Sequence, residues 1–79
     1  MLSCEVSLYP MEVADSDQVI NQALASLQRH GVTCEVGTMS TYISGSPEQV
    51  WESLKTLYDA ASTKAKELSM VVTISNSSK

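Results

Sequence analysis

Two helix-starting signals, Asp15-Ser-Asp-Gln18 and Ser46-Pro-Glu-Gln49, each lie between stretches in which apolar and polar residues alternate with a period of two. This punctuation constrains the fold more than any other feature of the chain. In both signals the first side chain can accept hydrogen bonds from first-turn backbone N–H groups, and the Gln three positions on completes a capping box. The second signal is the stronger. Pro47 suits the first helical position, and Glu48 favours the positive end of the helix.

After the first signal, Val19, Ile20, Ala23, Leu24 and Leu27 recur at helical spacing. The helix is expected to stop at His30-Gly31, since glycine readily takes the left-handed conformation. His30 reads as a residue of the last turn, because no nucleophile or acid is identifiable beside it. After the second signal, Val50, Trp51, Leu54, Leu57, Tyr58, Ala61 and Ala65 form a stripe that carries a helix to about Glu67. Trp51 and Tyr58 read as large core or core-edge groups, the alternative being an exposed interface.

The alternating stretches read as strands. Leu2, Cys4, Val6 and Leu8 oppose Ser3, Glu5, Ser7 and Tyr9, and Pro10 is expected to end that ladder. Val32, Cys34 and Val36 alternate with Thr33 and Glu35. Gly37-Thr38 suits a tight turn, from which a strand returns from Met39 to Gly45. Met70, Val72 and Ile74 oppose Ser69, Val71, Thr73 and Ser75 within a last strand, Leu68 to Ser75. The 79 residues suffice for one small domain, 1–79, with a modest core.

The order is therefore βαββαβ. It predicts an α+β sandwich: a four-stranded antiparallel sheet, strand order 4-1-3-2, with both helices on one face. Cys4, Val6, Leu8, Cys34, Val36, Met39, Thr41, Ile43, Met70, Val72 and Ile74 are expected to face the helices. The other face is left open, carrying Glu5, Ser7, Tyr9, Thr33, Glu35, Ser40, Tyr42, Ser44, Val71 and Thr73.

Charge narrows the partners. The net charge is −4, and the five Lys and Arg residues form no basic run. That argues against a phosphate-backbone partner, while a cationic small molecule is electrostatically permitted. RNA recognition on the open face would need basic groups beside its aromatics, and Glu5 and Glu35 stand there instead. No stretch is apolar for long enough to span a membrane, and no basic-then-apolar leader opens the chain, so a cytoplasmic location is expected. Cys4 and Cys34 read as buried free thiols of a reducing compartment, with a disulfide as the alternative. With only 18% of residues charged, neutral polar groups must cover part of the surface, and self-association is open to any apolar remainder.

The hydroxyl-rich segment Gly37-Thr-Met-Ser-Thr-Tyr-Ile-Ser-Gly45 fits small-ligand binding. Tyr42 can stack on a flat heteroaromatic ring. Ser7, Thr38, Ser40 and Thr41 offer hydroxyls or nearby backbone groups, although Thr41 also suits the core. Glu5 or Glu35 can balance a cationic ring. Catalysis is not indicated: Glu5 and Glu35 fall on strands separated by a third, and no nucleophile, base and orienting group come together.

Ser7-Leu-Tyr-Pro-Met11, the Gly37–Gly45 segment and Val50-Trp51, in this order and spacing, resemble the thiamine-binding, YkoF-like family, which overlaps the MTH1187-like proteins of unknown function. The resemblance covers nearly the whole chain. It implies a ferredoxin-like domain that binds thiamine or its hydroxymethylpyrimidine portion without converting it, needs no cofactor, and assembles as a homodimer or homotetramer. The family's hydroxyl-rich region maps here onto Ser7, Tyr9, Thr38, Met39, Ser40, Thr41 and Tyr42, and Glu35 joins them by its expected direction and charge. The rival expectation is an oligomeric structural or regulatory module whose open sheet face is a protein interface.

Overall fold

A computed structural model describes residues 1–11, 15–27, 31–37 and 40–77. Along the chain run β1 (Leu2–Met11), α1 (Ser16–Ala25), β2 (Thr33–Val36), β3 (Thr41–Gly45), α2 (Pro47–Lys64) and β4 (Glu67–Ser75). The strands form one antiparallel sheet in the order β2-β3-β1-β4, which is the expected 4-1-3-2 read from the other edge.

Both helix starts are capped as the sequence requires. Asp15 accepts from the Gln18 N–H at 3.1 Å. At α2 the capping box is complete: the Ser46 hydroxyl accepts from the Gln49 N–H, and the Gln49 side chain accepts from the Ser46 N–H. The first helix ends earlier than expected, at Ala25, followed by a 3₁₀ turn at Ser26-Leu27. His30 lies outside the described residues. Gly31 takes the left-handed conformation, with φ of 70°, but it lies beyond the Ser26 C-cap and so is not the C′ residue of α1.

Side-chain parity follows the alternation. Cys4, Val6, Thr41 and Ile43 are buried beneath the helices, with Leu8, Met70 and Val72 partly buried around them. Val19, Ala23 and Leu27 of the α1 segment and Val50, Leu54, Leu57 and Ala61 of α2 close the core from above. Removing such side chains from water contributes about 1.5–3 kcal/mol for each large one.

Four expectations are corrected. Pro10 does not end the first strand: pairing with β4 continues to Met11↔Glu67, whereas pairing with β3 stops at Val6↔Thr41. Beyond Val6 the strand has a ladder partner on one side only, and a proline, which lacks the N–H, is tolerated on an edge. Cys34 and Val36 are exposed rather than core, because α1 packs on β1, and α2 on β1, β3 and β4, which leaves β2 outside their cover. Ile74, on the opposite edge, is also exposed. Trp51 and Tyr58 are exposed as well, at 57% and 47%. At 3.6 residues per turn they sit roughly 90° around α2 from the seam of Val50, Leu57 and Ala61, beyond the part of the helix that meets the sheet.

The two thiols are free. Cys4 and Cys34 both pair with Ile43, one from each side, so β3 runs between them. Two strand spacings of about 4.8 Å hold them too far apart for the roughly 7 Å limit of a disulfide.

Candidate functional site

The interrupted β1–β3 ladder produces the site. Ser7 and Ser40 stand just past its last rung, Val6↔Thr41, where β1 continues and β3 begins. Gly37 donates its N–H to the Ser40 carbonyl at 2.8 Å, tying the end of β2 to the start of β3. The first helix passes over this gap, and a cavity of about 220 Å³ opens between them. Its polar lining is Ser7, Ser40, Thr41, Asp17 and Asn21, with Val6, Leu8, Ile20, Leu24, Val36, Gly37 and Leu57 completing the walls.

A second cavity, of about 320 Å³, shares Asn21, Leu24 and Val36 with the first. It runs between α1 and the uncovered edge strand β2 and is lined mainly by Ala25, Leu27, Val32 and Cys34. The two cavities adjoin through these shared residues, the first lined in part by Asp17 and Asn21 and the second largely apolar.

The expected site residues divide between the cleft beneath α1 and the open face. Ser7, Ser40 and Thr41 line the cleft. Glu35 and Tyr42 are paired on the opposite face, in a row that continues through Glu5 to Thr73. Tyr9 is exposed and pairs with Ser69. Thr38 and Met39 lie outside the described residues. Asp17 and Asn21 were not anticipated as site residues. Their signal is their place on the exposed side of α1, one turn apart, but only the direction of that helix across the sheet brings them over Ser7 and Ser40.

Ser40 links the two surfaces. Its hydroxyl donates to Oε2 of Glu5 at 3.1 Å while the residue also lines the cleft. The Glu5 carboxylate also acts on Tyr42, first as a hydrogen-bond acceptor and then as a neighbouring negative charge, and raises the phenol above its ordinary value. Ser40 opposes this slightly, and Glu35 adds to it. A shallow depression beside them on the open face is lined by Ser3, Glu5, Tyr42, Thr73 and Ser75.

The thiols do not add reactive chemistry. Burial pushes Cys4 up, partly offset by a hydrogen bond from the Ile43 backbone, and burial likewise raises Cys34. Both are protonated near neutral pH and are weak nucleophiles. No helix among the described residues is long and apolar enough to cross a membrane.

Solved structures share this architecture. A Streptococcus pneumoniae protein is 24% identical, with a TM-score of 0.88 over 98% of this chain and 87% of its own. A domain of unknown function from Bacillus cereus is also 24% identical, with a TM-score of 0.85 over 96% of this chain and 75% of its own. A Thermotoga maritima protein provisionally assigned to thiamine biosynthesis or salvage is 23% identical, with a TM-score of 0.80 over 96% of this chain and 83% of its own. At these identities the likeness establishes the ferredoxin-like fold. The comparison with curated proteins finds no match. The sequence model of the YKOF-related family matches residues 1–79, and the chain belongs to that family.

Proposed function

We propose that this protein binds thiamine, or its hydroxymethylpyrimidine portion, without converting it, and that it does so as a homo-oligomer of a single-domain chain. The observation that carries the reading is the convergence of Ser7, Ser40 and Thr41 with Asp17 and Asn21 around one cavity. A pyrimidine with an exocyclic amine needs both donors and acceptors at short range. The backbone of Ser7 and Ser40 at the unpaired end of the ladder, the Asn21 amide and the Asp17 carboxylate supply them.

Size favours a single ring at the polar end. About 220 Å³ is below the roughly 300–1,000 Å³ of pockets for drug-sized ligands. The pyrimidine then takes the polar cavity, and the remainder of thiamine extends along the cleft toward Leu24 and Val36 or out to solvent. Asp17 supplies the nearest negative charge for a cationic ring in the cleft, in place of Glu35. Ser40, fixed by Glu5, presents its backbone and oxygen to the ligand in a defined direction.

Binding rather than turnover is supported by the state of the thiols and by the family's character. The family resemblance and the Thermotoga neighbour supply the ligand class. Salvage, transport and sensing in the cytoplasm are the uses this binding suits.

Titration calorimetry of ligand-free protein with thiamine and, separately, with hydroxymethylpyrimidine tests the reading. Saturable binding of either supports it, and tighter binding of thiamine assigns a role to the thiazolium. No heat at two temperatures with either ligand sinks it and leaves the assembly-module reading.

A further inference from the structure

The two cavities beside α1 carry charge of one sign only. Among the described residues that line them, Asp17 is the single ionised side chain, and no Lys or Arg is present. Asp17 stands in the first turn of α1, exposed to solvent at the mouth of the first cavity. Lys55, by contrast, lies on the outer side of α2 and is held by Asp59 at 3.9 Å.

A helix N-terminus ordinarily attracts anions, because its first N–H groups lack partners and the dipole is positive there. The start of α1 is closed to that use. Asp15 accepts from the Gln18 N–H at 3.1 Å, and the Asp17 carboxylate occupies the same turn. A phosphate ester carries a charge of about −1.5 to −2 near neutral pH. At this helix end it meets carboxylates where it needs donors.

The remaining groups do not compensate. The Asn21 amide and the backbone of Ser7 and Ser40 at the end of the β1–β3 ladder are neutral, and the Ser40 hydroxyl is directed to Glu5 at 3.1 Å. Neutral donors satisfy a neutral pyrimidine. They do not offset the desolvation of a dianion, which takes charge-assisted donors.

We infer that Asp17 makes the cleft selective for charge, so that it holds hydroxymethylpyrimidine and thiamine as the free alcohols and rejects their phosphate esters. The inference rests on the ligand class proposed above and adds the chemical form in which that ligand is held: a neutral or cationic heteroaromatic alcohol. Asp17 acts with opposite sign on the two charged groups, attracting a thiazolium and repelling a phosphate. The net charge of −4 pulls in the same direction. Exposed charges farther than about 8 Å are largely screened at physiological salt, however, so the carboxylate beside the ligand dominates.

Calorimetry in low and high NaCl tests the inference. The ligands are hydroxymethylpyrimidine, thiamine and the monophosphate of each, with the esters also read in competition against the alcohols. The proteins are wild type, Asp17→Asn and Glu52→Gln. Glu52 is exposed on α2 and lines neither cavity, and its substitution changes the net charge by the same amount. Wild-type protein is expected to bind each ester at least about tenfold more weakly than its alcohol, since like charges brought together are strongly disfavoured. Asp17→Asn is expected to weaken thiamine about three- to fivefold, the scale of a partly exposed ion pair, and to narrow the gap between alcohol and ester. Added salt is expected to weaken thiamine and strengthen the pyrimidine ester in wild type, and to do less of both in Asp17→Asn.

An ester that binds wild type as tightly as its alcohol overturns the inference and leaves the ligand proposal standing. A gap that Asp17→Asn does not narrow, or that Glu52→Gln narrows equally, overturns it too, because the exclusion is then steric or a matter of net charge. Should Asp17→Asn not fold, the wild-type salt series decides: ester exclusion that salt leaves unchanged overturns the inference. No saturable binding of either alcohol sinks the ligand proposal itself, and this inference with it.

Discussion

The Ser40 hydroxyl donates a 3.1 Å hydrogen bond to Oε2 of Glu5, a residue 35 positions earlier in the chain. The bond crosses from the start of β3 to β1, one residue past the last rung of their ladder. It ties the polar lip of the α1 cleft to the carboxylate that governs Tyr42 on the other side of the sheet. The candidate cleft and the open face therefore share one charged residue.

Removing the Ser40 hydroxyl tests the cleft. Ser40→Ala is expected to weaken hydroxymethylpyrimidine binding about fivefold, the equivalent of one hydrogen bond of about 1 kcal/mol, while leaving circular dichroism unchanged. Calorimetry on the folded variant measures it. Equal affinity takes Ser40 out of the site.

Tyr42 reports on Glu5. The carboxylate stabilises the neutral phenol, so the folded pKa of Tyr42 lies above that of the unfolded chain. The contribution to stability is complete below the ordinary phenol value near 10 and is lost as pH rises through the folded value. Glu5→Gln is expected to bring the Tyr42 step down toward that ordinary value. Phenolate absorbance follows the titration, and Tyr42→Phe identifies which of the three tyrosine steps belongs to it. A step that does not move in the Glu5 variant removes Glu5 as the cause.

Cys4 makes the fold sensitive to alkali. Burial raises its folded pKa above the unfolded thiol value of about 8.5. Its contribution is therefore present below that value and disappears as pH climbs through the folded pKa. In a Cys34→Ser background, urea unfolding is expected to show stability falling as pH rises above the unfolded thiol value, and Cys4→Ala is expected to flatten that fall. Parallel pH profiles for the two proteins would contradict this account.

The second helix offers a graded set of losses. Ser46→Ala removes the capping oxygen at its start and is expected to cost about 1 kcal/mol. Leu57→Ala opens a cavity in the fully buried core and is expected to cost about 2–5 kcal/mol. Ser53 is also fully buried, but its hydroxyl serves only the Gln49 carbonyl one turn back, at 2.7 Å. Ser53→Ala leaves that carbonyl its helical partner and is expected to cost less than either. Urea denaturation ranks the three, and a Ser53 variant worse than the Leu57 variant would refute the ordering.

Much of the fold was legible because it depends on local rules. The alternation of Leu2 to Tyr9 assigned each side chain to a face, and the observed rungs Cys4↔Ile43 and Glu5↔Tyr42 keep that assignment. The capping signals placed both helix starts, because a cap is satisfied by residues three positions apart, although the reciprocal box forms at α2 and α1 has the Asp15 cap without it. The candidate site was legible in part. Ser7, Ser40 and Thr41 meet in the cleft, yet Asp17 and Asn21 were missed, and Glu35 and Tyr42 fall on the other face. Alternation names a face but not what stands above it.

The sequence by itself determined the elements, their order and the side to which each strand residue points, since hydrophobic period, caps and glycine act within a few residues. Only the tertiary structure decided which of those sides are covered. Cys34 and Val36 have the alternation of buried residues but lie beyond the reach of α1, and Trp51 and Tyr58 belong to an apolar stripe wider than the sheet beneath it. Coverage depends on where two helices of fixed width settle on four strands, a packing outcome that no local pattern encodes. The cleft beside Ser40 and the open edge of β4 are the two places where that cover runs out.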